Sequence, residues 1–434
     1  MRSAVASGPR SDALLHRLLA TTEGQADPYP LYKALRTVAP IHRSDLDGVW
    51  YVTGFAAARR VLLDPSFGKN PRITIRRHGV CEERVEMAER RPLRPSMFTA
   101  NPPDHSRLRG AAKSGFLPSR IEVIRSRVAT LVEEHLDRLA VMGTADLMAE
   151  LAVPLPLTVI GELLGVPRQD RPEFRRLVLT VVGADDPLPP PNAVQEAEAA
   201  AIRLEEYVLE LVAARRRCPG DDMLSMLVER HDGGILDTAE LSATVILLLG
   251  AGVVTTTNLI GNGLLALLGH RREMDRLWAD PALVGSAVEE MLRYDTPVQL
   301  VIRRALADVQ VEGARLRQGE NVVVLLGAAN RDPAWFPEPD RFDISRPDNG
   351  HLAFAWGSHF CLGARLARLE AQLVFAGLRR RFSGLDLAEE PCRRPGLALR
   401  GLETLPLNVT SAPGLPRTSS PPMPGPRPAS STTS

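Results

Sequence analysis

One cysteine stands in a setting that suits chemistry. In "HLAFAWGSHFCLGARLARLEAQL" (351–373), Phe354, Gly357, Cys361 and Gly363 follow the spacing F-x-x-G-x-x-x-C-x-G. Cys361 lies just before a strongly amphipathic run, and the amides at a helix start favour a thiolate over a thiol. Glycines on either side let backbone N–H groups turn towards the sulfur and let a flat cofactor approach the chain closely. A soft anionic sulfur on one face of an iron porphyrin donates electron density that assists O–O cleavage. The plain alternative is a buried structural cysteine, which leaves the spaced glycines, the phenylalanine and the helix start unexplained.

A second stretch, "LLLGAGVVTTTNLIGNGLLALLG" (247–269), is apolar almost throughout yet holds five glycines, three successive threonines and two asparagines. It is long enough to span a bilayer. However, Asn258 and Asn262 lie near its middle, and "DTAELSAT" before it supplies a helix start, with Asp237 or Thr238 as cap. A central, fully buried helix is the simpler reading.

Several further motifs recur in order, and together with the cysteine loop they make the chain resemble the cytochrome P450 family from about Asp27 to Pro406. "EEMLR" carries an E-x-x-R as Glu290 and Arg293, with Arg341 of "PEPDRF" as the expected third partner. "NPPDHSRLRG" precedes an F-x-P segment, "FLPSRI". "AGVVTT" stands where the family carries A-G-x-[D/E]-T-T, and "RGLETLP" resembles its late substrate-lining turn.

The resemblance implies a mainly α fold with small β-sheets, in which haem b is buried between a long central helix and the cysteine loop. It makes Cys361 the iron ligand, with Phe354, Gly357 and Gly363 shaping its loop. It assigns His105, Arg109, Arg303 and His359 to the haem propionates, and Arg suits such carboxylates because it can bind them bidentately. Glu290 and Arg293, at i and i+3, can pair on one helix face. With Arg341 they are expected to pin the loop beneath the cysteine. Gly252 is expected to loosen the central helix, and Thr255 aligns with the threonine that hydrogen-bonds oxygen. Val253, Val298, Leu300 and Leu402 are expected to line the substrate pocket.

The departure from the family is Val254. An acid usually precedes the threonine, and a carboxylate beside an alcohol is an ordinary proton relay; valine cannot serve. Protons then come from a substrate group or ordered water, or from a relay displaced to Thr256 and Thr257, or the reaction needs no such relay. The leading expectation is a monooxygenase acting on an apolar small molecule. The alternatives are haem-thiolate chemistry of another type (group transfer, rearrangement, N–O cleavage or coupling) and a haem-binding sensor without turnover. A smaller departure is Ala355, where bacterial relatives commonly have glycine.

The bulk numbers agree. The chain has 434 residues, 44% hydrophobic and 24% charged, with net charge +1. That composition is globular and gives no electrostatic case for nucleic acid. The four cysteines form no C-x-x-C pair, so no zinc site or disulfide scaffold is expected. No signal peptide or membrane anchor is read, and a cytoplasmic monomer is expected, with a ferredoxin and its reductase supplying electrons if the reaction uses oxygen. Arg365, Arg368 and Arg379 to Arg381 would offer such a partner positive charge. Periodicity marks helices over 27–40, 55–65, 119–140 and 364–382, and strands over 48–54 and 320–330. Residues 1–26 read as an N-terminal extension, 27–411 as one domain, and 412–434, rich in Pro and Ser, as a disordered tail. The proline-rich 184–192 loop reads as a candidate lid, and the basic Arg72–Arg94 segment as a pocket cover or a solvated loop.

Overall fold

The structure is a computed structural model, and it describes residues 5–6, 8–69, 96–183 and 192–413. The expected tail beyond 413, the Arg72–Arg94 segment and most of the 184–192 loop lie outside these residues.

The element that organises the molecule is one 32-residue helix, Thr238–Gly269. Its start is set by a reciprocal capping box. Asp237 accepts from the Glu240 amide at 2.7 Å, and Glu240 accepts from the Asp237 amide at 3.0 Å. Arg107 adds a two-pronged contact to Glu240 at 2.6 and 2.8 Å, tying this end to the helix Asp104–Lys113. The helix is apolar and long enough to cross a membrane, but most of it is buried against other elements of the chain. It packs on the helices Pro154–Leu164, Ala193–Arg217, Val284–Tyr294 and Ala364–Arg381. Gly263 is one reason the fit is close. A Cβ there would lie 2.7 Å from the Met291 sulfur and 3.0 Å from Phe375.

Small sheets flank this helical body. The largest has six strands in the order Val5–Ala6, Ile41–Arg43, Trp50–Val52, Asn321–Leu325, Leu300–Ala305 and Phe67–Gly68. Its centre pairs Trp50 with Val322 in parallel and Leu300 with Leu325 antiparallel. Val322, Val324 and Leu325 are fully buried, as expected of a strand covered on both faces.

The segment read as an N-terminal extension is part of the body. The helix Pro9–Ala20 buries Leu15 and Leu18 completely against Tyr32, Leu35 and Tyr51. Asp12 meets His42 at 3.1 Å. Apolar residues three apart on a short helix bury one stripe, and that stripe has a partner here.

Candidate active site

The cysteine loop is held by its own backbone. The Cys361 amide donates to the Phe354 carbonyl at 2.9 Å, and the Phe360 amide donates to the Gly357 carbonyl at 3.0 Å. Two positions have left-handed φ: Ala355 at 53° and Gly357 at 77°. At Gly357 a side chain is excluded twice over, because a Cβ would also lie 2.3 Å from the Leu62 carbonyl oxygen. Ala355 adopts the same conformation with a methyl group, a strain that glycine would not bear. The Gly363 amide donates to Sγ, at the start of the helix Ala364–Arg381. Cys361 is exposed on one side and enclosed by the loop on the others. Enclosure raises its thiol, while the Gly363 amide, Arg109 and Arg368 pull it down less strongly.

Beside the loop lies a cluster of basic groups with no acid among them in the described residues. The rings of His105 and His359 stand 4.2 Å apart. Arg303 is 2% exposed, and among the described residues its guanidinium donates only to the Ile302 carbonyl. Lys69 is buried over the Phe98 ring, and Arg109 donates to the Phe360 carbonyl at 2.7 Å. Burial pulls Arg303 down to about 10. Burial, and then the charges of Arg303, Lys69, His105 and Arg109, pull His359 down to about 2. His105 Nε2 is buried without a partner among the described residues. Such a cluster is costly by itself and is matched to an anionic ligand carrying more than one carboxylate.

The central helix presents one accessible stripe in its buried middle. Ala251 is exposed, Gly252 and Thr255 are half-buried, and Val253, Val254 and Thr256 are buried. Residues four apart share a face, so Ala251 and Thr255 look out together. The Thr255 hydroxyl donates to the Ala251 carbonyl at 2.8 Å. Val254 is 4% exposed and directed into the protein. Thr256 and Thr257 are buried, away from the stripe. Gly252 has a packing role: the helix runs unbroken, and a Cβ would lie 3.0 Å from Ile160. The expectation that Gly252 loosens the helix is therefore replaced by close approach of the neighbouring helix Pro154–Leu164.

Glu290 and Arg293 form the buried pair that their spacing implies, with bonds of 2.8 Å from Nε and Nη2 and no exposure of either side chain. The third partner is Arg346, not Arg341. Arg346 Nε reaches the Glu290 carboxylate at 3.2 Å and is 8% exposed. Arg341 points outward, 54% exposed, towards Glu338 and Asp343. Its backbone carbonyl, rather than its charge, enters the cluster by accepting from Arg293 and Arg346. Asn349 Nδ2 and the Asp343 amide complete the carboxylate's shell at 3.0 and 2.9 Å.

The chain matches the family model for cytochrome P450 over residues 190–398. It is 41% identical to the cytochrome P450 monooxygenase PikC of Streptomyces venezuelae over 88% of this chain and 91% of that one. Among solved structures it resembles P450BioI in complex with an acyl carrier protein carrying hexadec-9Z-enoic acid. There the TM-score is 0.81 and the identity 37%, covering 89% of this chain and 100% of that one. It also resembles CxnD, described as a P450 for C–S bond formation in chuangxinmycin biosynthesis. There the TM-score is 0.82 and the identity 33%, covering 90% and 96%. The chain is a cytochrome P450.

The cofactor of this P450 is haem b, and its residues fit that group. Cys361, in a loop built of turned amides, would be the thiolate donor, and the cluster of Arg303, Lys69, His105, Arg109 and His359 would suit two propionates. Lys69 precedes the Arg72–Arg94 segment and belongs to none of the quoted motifs, so nothing in the sequence singled it out.

The residues expected to line the substrate pocket divide into two groups. Val298 and Leu300 are half-buried, just before and at the start of the strand Leu300–Ala305. Val253 and Leu402, 2% and 3% exposed, belong to the main core, where Leu402 packs beside Met148 and Gly261. The arginines expected to attract a redox partner are mostly engaged within the P450. Arg368 forks onto Glu289 at 2.7 and 2.8 Å, Arg380 pairs with Glu133, Arg381 pairs with Asp137, and Arg379 donates to the Trp278 carbonyl. Burial raises the Glu289 carboxyl, but hydrogen bonds from Arg368 and His351 more than offset it and hold it at about 2. Of that set, Arg365 is exposed.

Proposed function

We propose that this P450 is a cytoplasmic, monomeric monooxygenase of an apolar small molecule. A ferredoxin and its reductase supply the electrons, and proton delivery does not use a carboxylate at position 254. When bound, haem b supplies an iron centre at which dioxygen is activated by external electrons. The chain's part is to hold that group by Cys361 and the basic cluster, and to present one hydroxyl, Thr255, on an otherwise apolar wall. The observation that carries the reading is the accessible Thr255 beside a buried Val254. The hydroxyl donates to the Ala251 carbonyl and keeps its lone pairs for a donor from the substrate or from water. The side chain before it has no proton to give.

The same observation favours one second reading. A wall without an acid also suits chemistry that needs no proton delivery there, such as coupling or rearrangement, and CxnD is a similar P450 described for C–S bond formation.

Val254→Glu, with Val254→Gln as a control of similar size, separates the two. Reduced protein is supplied with oxygen, and peroxide release per oxygen consumed is measured. Proton delivery limits the monooxygenase, so the Glu variant should release less peroxide than wild type while the Gln variant does not. No oxygen consumption by wild type, or equal release by all three, would overturn the reading.

A further inference from the structure

The face of the central helix that carries Ala251 and Thr255 continues beyond them. Asn258 and Asn262, three and seven positions after Thr255, fall on the same face. At 1.5 Å per residue they lie about 4.5 and 10 Å further along the axis. Ala251 is exposed and Thr255 half-buried, whereas Asn258 and Asn262 are 0% and 2% exposed. The stripe closes there because residues 394–401 and the turn after the helix Val284–Tyr294 lie over it.

Both asparagines hold that cover. Asn258 Oδ1 accepts from Arg394 Nη2 at 2.6 Å, and it presses so closely on Gly401 that a Cβ there would lie 2.0 Å away. Asn262 Nδ2 donates to the Arg400 carbonyl at 3.0 Å and lies 3.4 Å from the Asp295 carbonyl. Asp295 and Arg400, both buried, are also joined by their side chains, Nε to Oδ1 at 2.8 Å. The Tyr29 hydroxyl donates to the same carboxylate oxygen at 2.7 Å, and Arg400 Nη1 donates to the Gln25 and Ala26 carbonyls at 3.2 and 2.8 Å. One amide of the central helix thus meets two distant chain segments where an ion pair already ties them together.

Those two segments also carry Val298 and Leu399, which face each other in an isolated antiparallel bridge. The bonds lie on either side of the pair, from the Gln299 amide to the Ala398 carbonyl at 3.0 Å and from the Arg400 amide to the Pro297 carbonyl at 2.9 Å. Pairs flanked in this way bring their side chains closest. Val298 and Leu399 are half-buried and apolar, while the next residues, Gln299 and Arg400, are buried.

Covering the stripe does not by itself call for asparagine. Among the described residues Asn258 Nδ2 and Asn262 Oδ1 have no partner, so leucine would fill either position with less desolvation cost. What the amides supply is direction. A hydrogen bond fixes where a segment sits along the helix, and an apolar contact does not.

We infer that Asn262, with Asn258 one turn before it, is a positioning residue that sets the distance and register of the Val298–Leu399 wall relative to Thr255. It thereby sets the length and shape of substrate that the site accepts. It acts through the backbone of 394–401 and of Asp295, without touching the substrate. This rests on the reading of the Thr255 stripe as the substrate side of the haem.

The test uses the full chain loaded with haem and kept oxidised, with no reductant, so its outcome is separate from that of the peroxide measurement on the Val254 variants. Imidazole and 4-phenylimidazole are titrated by the Soret shift, and thermal midpoints are measured alongside. Imidazole is small enough to be indifferent to the wall, whereas the phenyl ring has to lie against it. Asn262→Leu, of similar size, should weaken 4-phenylimidazole about five- to tenfold, the scale of one lost hydrogen bond, and leave imidazole within about twofold. Tyr29→Phe, which removes one bond to Asp295 from the far side, should shift the ratio of the two affinities in the same direction by about two- to threefold. Val132→Ala, a cavity in the core under the helix Pro118–Met142, should lower the thermal midpoint and keep the wild-type ratio. A wild-type ratio in Asn262→Leu, or in Tyr29→Phe should the first fail to fold, would overturn the proposal, as would equal weakening of both ligands.

Discussion

Replacing Arg346 with alanine should damage this P450 far more than replacing Arg341. Arg346 is 8% exposed. It reaches the Glu290 carboxylate at 3.2 Å and donates to the carbonyls of Pro337 at 2.7 Å, Glu338 at 3.2 Å and Arg341 at 2.8 Å. Its removal leaves a fully buried carboxylate short of one cation and takes the donor from the carbonyls of the loop. Breaking a buried pair in this way costs about 3–5 kcal/mol, a large share of the roughly 5–15 kcal/mol that holds a typical protein folded. Arg341 is 54% exposed and its partners Glu338 and Asp343 are 72% and 20% exposed. Pairs of that kind contribute about 0–1 kcal/mol, and the carbonyl that Arg341 lends to the cluster survives the substitution. Guanidinium denaturation of the purified proteins, with haem content from the Soret-to-protein absorbance ratio, reads both effects. Arg346→Ala should lose several kcal/mol and much of its haem, and Arg341→Ala should stay close to wild type. Equal losses, or a larger loss for Arg341→Ala, would refute the assignment.

Two further outcomes follow from buried groups. Among the described residues Arg303 has no acid partner, so Arg303→Leu should stabilise the haem-free protein against denaturant while weakening haem retention in a transfer assay; a loss in both would contradict the role proposed for the basic cluster. Glu370 is buried, one of its oxygens has no partner, and burial pushes its carboxyl up to about 8. A carboxyl raised above its unfolded value contributes stability that is fully present below about 4.5 and is lost as pH rises through about 8. Glu370→Gln should therefore raise the thermal midpoint more at pH 8 than at pH 5.5, and an equal shift at both would contradict the raised value.

The parts of the site legible in the sequence were those set by local spacing. The cysteine loop works through glycines and a helix start within a dozen residues, so its pattern is its geometry. Glu290 and Arg293 pair because i and i+3 share a helix face. The capping box at Asp237 and Glu240 is equally local. Arg346 was missed because Arg341 and Arg346 both lie in an irregular segment, where no period says which side chain turns inward. Leu402 and Val253 were expected at the substrate and are core residues for a similar reason, since apolar side chains on a helix or strand near a pocket suit either face. Arg368 and its neighbours read as a docking surface until their acidic partners, distant in sequence, came beside them. Asn258 and Arg394, 136 positions apart, gave no signal in the sequence, because the contact joins a helix to a hairpin.

The proposal on which the rest depends is that Cys361 gives a thiolate to haem b. The most direct measurement is the reduced carbon monoxide difference spectrum of the full chain, taken for wild type and for Cys361→Ser. Wild type should show the long-wavelength Soret band of a thiolate-ligated haem and the variant should lose it, with Cys218→Ser and Cys392→Ser unchanged. The same band in Cys361→Ser, or its absence from haem-loaded wild type, would contradict it.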